Sequence, residues 1–201
     1  MACELVPAHP ARIGALGGDR LRDERADAAR DRLLSVGALV VSAGHVDLAQ
    51  AYEARVRQHV ASARENIAVH GIGGDAQLAG QPLPKVIDGL TRFIEGAIPA
   101  AFHAPFDALV LRRHGLKLKA KWLDLAAAAP LLFPKRGRRD NPLEHWLEAF
   151  SIPPLARHDA LGDAFATAQL LLVLVSEAKR QGMRSAEDLL HAARNSRWLA
   201  P

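Results

Sequence analysis

Arg157-His158-Asp159-Ala160-Leu161-Gly162-Asp163-Ala164-Phe165-Ala166-Thr167-Ala168-Gln169-Leu170-Leu171 is the stretch from which the rest of the chain is read. From Ala160 onward, Leu161, Ala164, Phe165, Ala168, Leu171 and Leu172 recur at three- and four-residue spacings, as on one buried helix face. Asp159 suits the N-cap, and Pro153-Pro154 keep the chain before it extended. His158 then stands at the mouth of the helix, with Asp163 about one turn inside it. An imidazole and a carboxylate so placed can share a pocket, the carboxylate holding a cation and the imidazole taking a proton. The plain structural reading is a capped helix with a surface histidine and a solvated aspartate. On this stretch alone the plain reading is the better one.

Working back, Ile98 to Asp107 predicts a short strand, a bend at Ala104-Pro105 and a helix with Asp107 in its first turn. An acidic residue there is often only a favourable partner for the helix dipole. Pro84 to Gly96 predicts an amphipathic helix that buries Val86, Ile87, Leu90, Phe93 and Ile94. His70-Gly71-Ile72-Gly73-Gly74-Asp75 is a glycine-rich loop without the Gly-Lys-Ser/Thr ending of a phosphate-cradling loop. Leu33 to Val41 and Val46 to Val56 are strand-like, joined by a turn at Ser42-Ala43-Gly44-His45. Before them, Met1 to Arg30 shows no strand pattern, only prolines and glycines followed by alternating charges.

Further on, Lys119 to Asp124 predicts a strand and Leu125 to Leu132 a short helix. Lys135-Arg136-Gly137-Arg138-Arg139 is a basic loop. Such loops are usually just solvated, but beside an active site one could grip phosphates without sequence preference. Leu143 to Phe150 predicts a helix with Trp146 and Leu147 in the core, and Ala186 to Arg194 a terminal amphipathic helix. Strands mixed with helices make an α/β domain.

The totals set bounds. A chain of 201 residues, 49% hydrophobic and 24% charged, suits one domain with its own core. The net charge of +4 favours a polyanionic partner without proving one. Cys3 is the sole cysteine, which excludes a disulfide framework and a thiolate metal site. The longest apolar run, Leu170 to Val175, is too short to cross a membrane, and the first residues lack the apolar core of a secretory signal. A soluble cytoplasmic protein is expected.

His158-x-Ala160-x-x-Asp163-Ala164, followed by Thr167-Ala168-x-Leu170-Leu171, resembles the third exonuclease motif of the DEDDh 3'→5' exonucleases, relatives of the proofreading epsilon subunit of bacterial DNA polymerase III. The segment His103-Ala104-Pro105-Phe106-Asp107 resembles the second motif, with Ala104 where an asparagine is usual. The likeness runs from about Asp31 to Leu172. It implies a ribonuclease H-like fold, a central mixed sheet flanked by helices. It also implies two divalent cations, Mg2+ or Mn2+, held by four carboxylates, of which Asp107 and Asp163 match two. His158 matches the general base, and His70-Gly71-Ile72 the pocket for the 3'-terminal nucleotide. The implied activity is release of 5'-mononucleotides from single-stranded DNA 3' ends, with RNA as an alternative substrate and a DNA polymerase subunit as a possible partner. No membrane partner is expected.

The first motif, Asp-x-Glu-Thr-x-Gly-Leu, is missing. Counting back by the family's usual spacing puts its Asp at Arg20 and its Glu at Arg22. Arg20 to Arg25 can be encoded by CGA CTG CGA GAC GAG CGG, and reading from the second base gives Asp-Cys-Glu-Thr-Ser-Gly. Residues 1–30 are therefore read as an irregular segment, out of frame by one base, ahead of an exonuclease domain at 31–182 and a C-terminal helix and tail at 183–201. The chain as written is expected to be a poor nuclease. The rival is a non-catalytic relative that binds nucleic acid or a polymerase. The short tail after the last helix points to a stand-alone or accessory nuclease rather than a replicative subunit.

Overall fold

The computed structural model describes residues 11–18, 32–64, 67, 71–153 and 160–196. Its five strands are β1 (Ala11–Gly18), β2 (Leu33–Ser42), β3 (His45–Arg55), β4 (Ile98–Ala101) and β5 (Leu123–Asp124). Its helices are α1 (Gly74–Leu78), α2 (Leu83–Ile94), α3 (Ala104–Arg113), α4 (Leu125–Leu132), α5 (Leu143–Ala149), α6 (Ala160–Arg180) and α7 (Ala186–Asn195). The strands form one mixed sheet in the order β3-β2-β1-β4-β5. β2 runs antiparallel to both its neighbours, whereas β1, β4 and β5 are parallel.

β2 explains the near-continuous apolar run in its sequence. Every residue from Leu33 to Val41 is buried, because helices cover both faces of the sheet. On one face Val36 and Ala38 pack with Val86, Ile87 and Leu90 of α2 and with Leu111 of α3. On the other, α4, α5, α6 and α7 form a larger core around Trp146, Leu170, Leu171 and Leu174. β3 is the solvent edge, and its residues are mostly exposed.

Several expectations change. Residues 1–30 were expected to hold no strand, yet Ala11–Gly18 is the central strand, paired along its length with β2 and over Ala11–Ile13 with β4. A strand with neighbours on both sides is stabilised by their ladders, so its own residues need not be strong strand formers. Gly14, Gly17 and Gly18 diluted the pattern. Consequently neither edge of β2 is left bare. The strand expected over Lys119–Asp124 shrinks to Leu123–Asp124, since only those two residues reach β4.

The bend before α3 falls at Phe102-His103 rather than Ala104-Pro105, because Pro105 sits in the first helical turn, where its missing N–H costs nothing. Phe93 is half-buried, its ring 5.8 Å from that of Tyr52. On α6, Leu161, Phe165 and Leu172 are only half-buried, while Ala166, Thr167, Leu170 and Leu174 are buried too. The helix is covered on several sides, by β1, β2 and β3 and by α4, α5 and α7, so its buried face is wider than one stripe. With 21 residues, α6 has the length and hydropathy to cross a bilayer, although no run of the sequence suggested it. In this fold those apolar residues face the sheet and the flanking helices.

Candidate active site

The site is defined by one end of the sheet. β4 pairs with β1 only as far as Ala100 opposite Ile13, while β1 continues to Gly18. About four residues of β1, Ala15–Gly18, therefore overhang the end of β4, at about 3.3 Å each. The chain leaving β4 turns at His103, which adopts a left-handed conformation with φ 62°, and enters α3 at Ala104. Asp107 lies in the first turn of that helix and is 7% exposed.

α6 starts on the other face of the same overhang. A Cβ on Gly37 of β2 would lie 2.3 Å from the Ala160 carbonyl carbon and oxygen and 2.6 Å from Leu161 N. Only a glycine lets the helix backbone come down onto the strand there. Gly37 pairs with Ala15 in the overhanging half of β1. The first turn of α6, with half-buried Asp163, is thus seated beside that half-strand. Thr167 Oγ1 donates to the Asp163 carbonyl at 2.8 Å, a bond within the same helix. The fold therefore brings the helix starts that carry Asp107 and Asp163 to one sheet end, from opposite faces. His158 and His70 lie outside the described residues.

Gly71 and Ile72 flank the short helix α1. Gly71 is exposed, with φ +70°, and Ile72 is half-buried. The Ile72 carbonyl accepts from Gln77 Nε2 at 2.8 Å, and Gln77 Oε1 accepts from Ser62 N at 2.9 Å and Ser62 Oγ at 3.0 Å. Arg32, at the entrance to β2, donates to the same Ser62 hydroxyl at 3.2 Å. Gln77 is 1% exposed, so this buried amide ties the Gly71-Ile72 loop to the start of β2. Nothing local in the sequence signals that role beyond a lone glutamine in a short helix.

The basic loop is largely occupied with its own structure. Arg136 donates to the Ala149 carbonyl at the end of α5, and its guanidinium lies 5.1 Å from the Phe150 ring centre. Arg139 pairs with Asp124 at 3.3 Å, and Arg138 faces Asp140 at 3.6 Å in full exposure. Lys135 is exposed. Of the four cations expected to grip a nucleic-acid backbone, Lys135 and Arg138 point to solvent, while Arg136 and Arg139 hold the loop against α5 and β5. The sequence could not separate these roles, because both need the same residue types.

A pair of divalent cations needs several carboxylates around one point. The strand between the two helix starts, Ala11–Gly18, contains no Asp or Glu. Beside it on β2, the buried Ser35 hydroxyl has no hydrogen-bond partner, and a neutral hydroxyl is a poor substitute for a carboxylate. Among the described residues no group of three or more His, Cys, Asp or Glu could hold a metal. Asp107 and Asp163 by themselves do not fit a two-cation centre.

The same architecture is found in solved structures. Exonuclease X in complex with 5' overhanging duplex DNA superposes with a TM-score of 0.69 at 19% identity, over 91% of this chain and 99% of that one. The nuclease domain of 3'hExo, a DEDDh family member bound to rAMP, gives 0.69 at 14% identity, over 88% and 94%. The class of protein is accordingly the ribonuclease H-like fold of the DEDDh exonucleases.

The sequence relatives narrow this. A DNA polymerase III subunit epsilon-like protein of Rhodobacter capsulatus is 31% identical over 159 residues, covering 76% of this chain and 22% of that protein. A PolC-type DNA polymerase III of Thermotoga maritima is 24% identical over 164 residues, covering 79% and 12%. Over about three quarters of its length the chain is thus similar to polymerase III epsilon-like proteins, on the fold of the DEDDh exonucleases. It spans about a fifth or less of the length of these curated relatives. No family model matches it.

Proposed function

We propose that this domain is built as a 3'→5' exonuclease for DNA 3' ends, and that the chain as written hydrolyses them poorly. The single observation behind the nuclease reading is the end of β1, where the helix starts that carry Asp107 and Asp163 come together. β1 itself, Ala11–Gly18, carries no Asp or Glu, and the two places that the family spacing gives the first pair of carboxylates, Arg20 and Arg22, hold arginines and lie outside the described residues. In this reading Asp107 and Asp163 are two of the four ligands and His158 is the base that takes a proton from the attacking water. Gly71 and Ile72 border the pocket for the terminal nucleotide. Lys135 and Arg138 supply backbone contacts, and Arg136 and Arg139 shape the loop.

The test compares the chain as written with a chain translated in the corrected frame between Ala11 and Asp31. Both are given single-stranded DNA labelled at its 5' end, with Mg2+ or Mn2+. The corrected chain should shorten the DNA from the 3' end, the His158→Ala variant of it should not, and the chain as written should stay near background. Robust Mg2+-dependent degradation by the chain as written would refute the proposal.

The composition of β1 also favours a second reading, a relative that binds nucleic acid or a polymerase without turnover. Tight single-strand binding by both chains, with no hydrolysis by either, would select it. Replacing the DNA with RNA of the same sequence decides between the two substrates.

A further inference from the structure

We infer that Asp124, steadied by Arg139, is a positioning residue for Asp107, capping α3 from the neighbouring strand. Asp124 ends β5 and occupies the N-cap position of its own helix, α4, where an Asp side chain ordinarily accepts an N–H from the first turn. It makes no such bond to α4. Instead Oδ1 accepts the Ala104 N–H, at the first position of α3, at 3.3 Å, and Oδ2 faces Arg139 Nη2 at 3.3 Å. The carboxylate is 5% exposed, so protein partners rather than water set its direction.

The entrance to α3 needs such help. The N-cap residue, His103, is held in the left-handed region at φ 62° and its side chain caps nothing. Pro105 has no N–H to offer, and the Phe106 N–H turns back to the His103 carbonyl at 2.9 Å. The Ala104 N–H is the donor of that first turn which a neighbouring carboxylate can reach, and Asp124 reaches it. Asp107 follows three residues later in the same turn. Beside it a cleft of about 240 Å3, lined by Ala104, Pro105, Ala108, Trp122, Asp124 and Arg194, would admit water to the Ala104 amide once the carboxylate were gone. As part of the basic loop Arg139 was expected to grip phosphates, whereas the structure turns it toward this carboxylate.

The meaning of the inference for catalysis rests on the proposed nuclease reading, but its test does not. In the chain as written, amide hydrogen exchange at Ala104 is compared with exchange at Ala38 and Leu39 in β2, and the side-chain carboxyl 13C shift of Asp107 is followed. Asp124→Ala should speed exchange at Ala104 by about five- to tenfold relative to the β2 amides, the size of a lost helix cap, and shift the Asp107 carboxyl signal. Asp124→Asn keeps an oxygen acceptor and should restore both readouts. Arg139→Gln should give about a two- to threefold rise, as expected for a partly exposed ion pair.

Unchanged exchange at Ala104 in Asp124→Ala overturns the inference. So does equal acceleration at Ala104, Ala38 and Leu39, which would mark a purely global role. If Asp124→Ala does not fold, Arg139→Gln decides, and wild-type exchange at Ala104 in that variant overturns it. Failure of hydrolysis in the corrected-frame chain would sink the nuclease reading and leave these readouts untouched.

Discussion

Replacing Gly37 with alanine tests how the sheet places α6. The added Cβ would sit 2.3 Å from the Ala160 carbonyl carbon and oxygen, more than 1 Å inside ordinary van der Waals contact. Those atoms are backbone of a 21-residue helix packed on three strands, so no side chain can swing aside to relieve the overlap. Overpacking of a filled interior costs about 1–3 kcal/mol, and a rigid backbone obstacle belongs at the upper end. Losing a strand glycine returns about 0.5–1 kcal/mol of backbone entropy.

The net loss is then about 2 kcal/mol, or about 4–8 °C in Tm for a domain of this size. The assay is thermal and urea denaturation followed by circular dichroism, with amide exchange at Ala160 and Leu161 as the local readout. Gly73→Ala is the control, because nothing lies within 4 Å of a Cβ there and its φ of −58° suits any residue. Stability of the Gly37→Ala chain equal to wild type, with unchanged exchange at Ala160, would refute the reasoning. In a hydrolytically active corrected chain, a shift of about 1 Å in the Asp163 turn should also cost about a hundredfold in turnover.

Three further outcomes are expected. Gln77→Leu removes the buried amide's bonds to the Ser62 N–H and hydroxyl and to the Ile72 carbonyl, so urea denaturation should show a loss of about 2–3 kcal/mol; a loss under about 0.5 would mean that the loop is not held this way. The Asp188 carboxyl is held below its ordinary value of 3.8, first by the Arg184 N–H and then by the Ser185 N–H. A depressed folded pKa makes its contribution to α7 complete above the ordinary value and lost as pH falls through the lower one, so an NMR titration should find the midpoint below 3.8 and fraying of α7 only beneath it. For the basic loop, neutralising Lys135 and Arg138 together should lower the salt slope of single-stranded DNA binding by about 1.4, while Arg136→Ala should lower stability more than the slope. A larger slope change from Arg136 than from Lys135 would show that the loop opens to bind.

The sequence alone carried the likeness to the DEDDh exonucleases and most of the helices. The segments around Asp163 and ending at Asp107 were legible as helix starts, because such starts carry strong local signals in capping residues, proline and apolar period. The run from Leu33 to Val41 was legible as a strand for the same kind of reason, a continuous stretch of apolar residues. What only the tertiary structure decided are matters of which backbone meets which.

Ala11–Gly18 became the central strand because β2 and β4 flank it, although its glycine-rich sequence carries little local strand preference. Gly37 is one small residue in an apolar run until Ala160 is set down on it. Asp124 stands at the cap position of its own helix, α4, but serves the preceding one, α3, and Arg139 reads as a phosphate contact and faces Asp124. Local sequence fixes propensities within a few residues. The partners of a carboxylate, a guanidinium or a glycine lie tens of residues away, and folding chooses them.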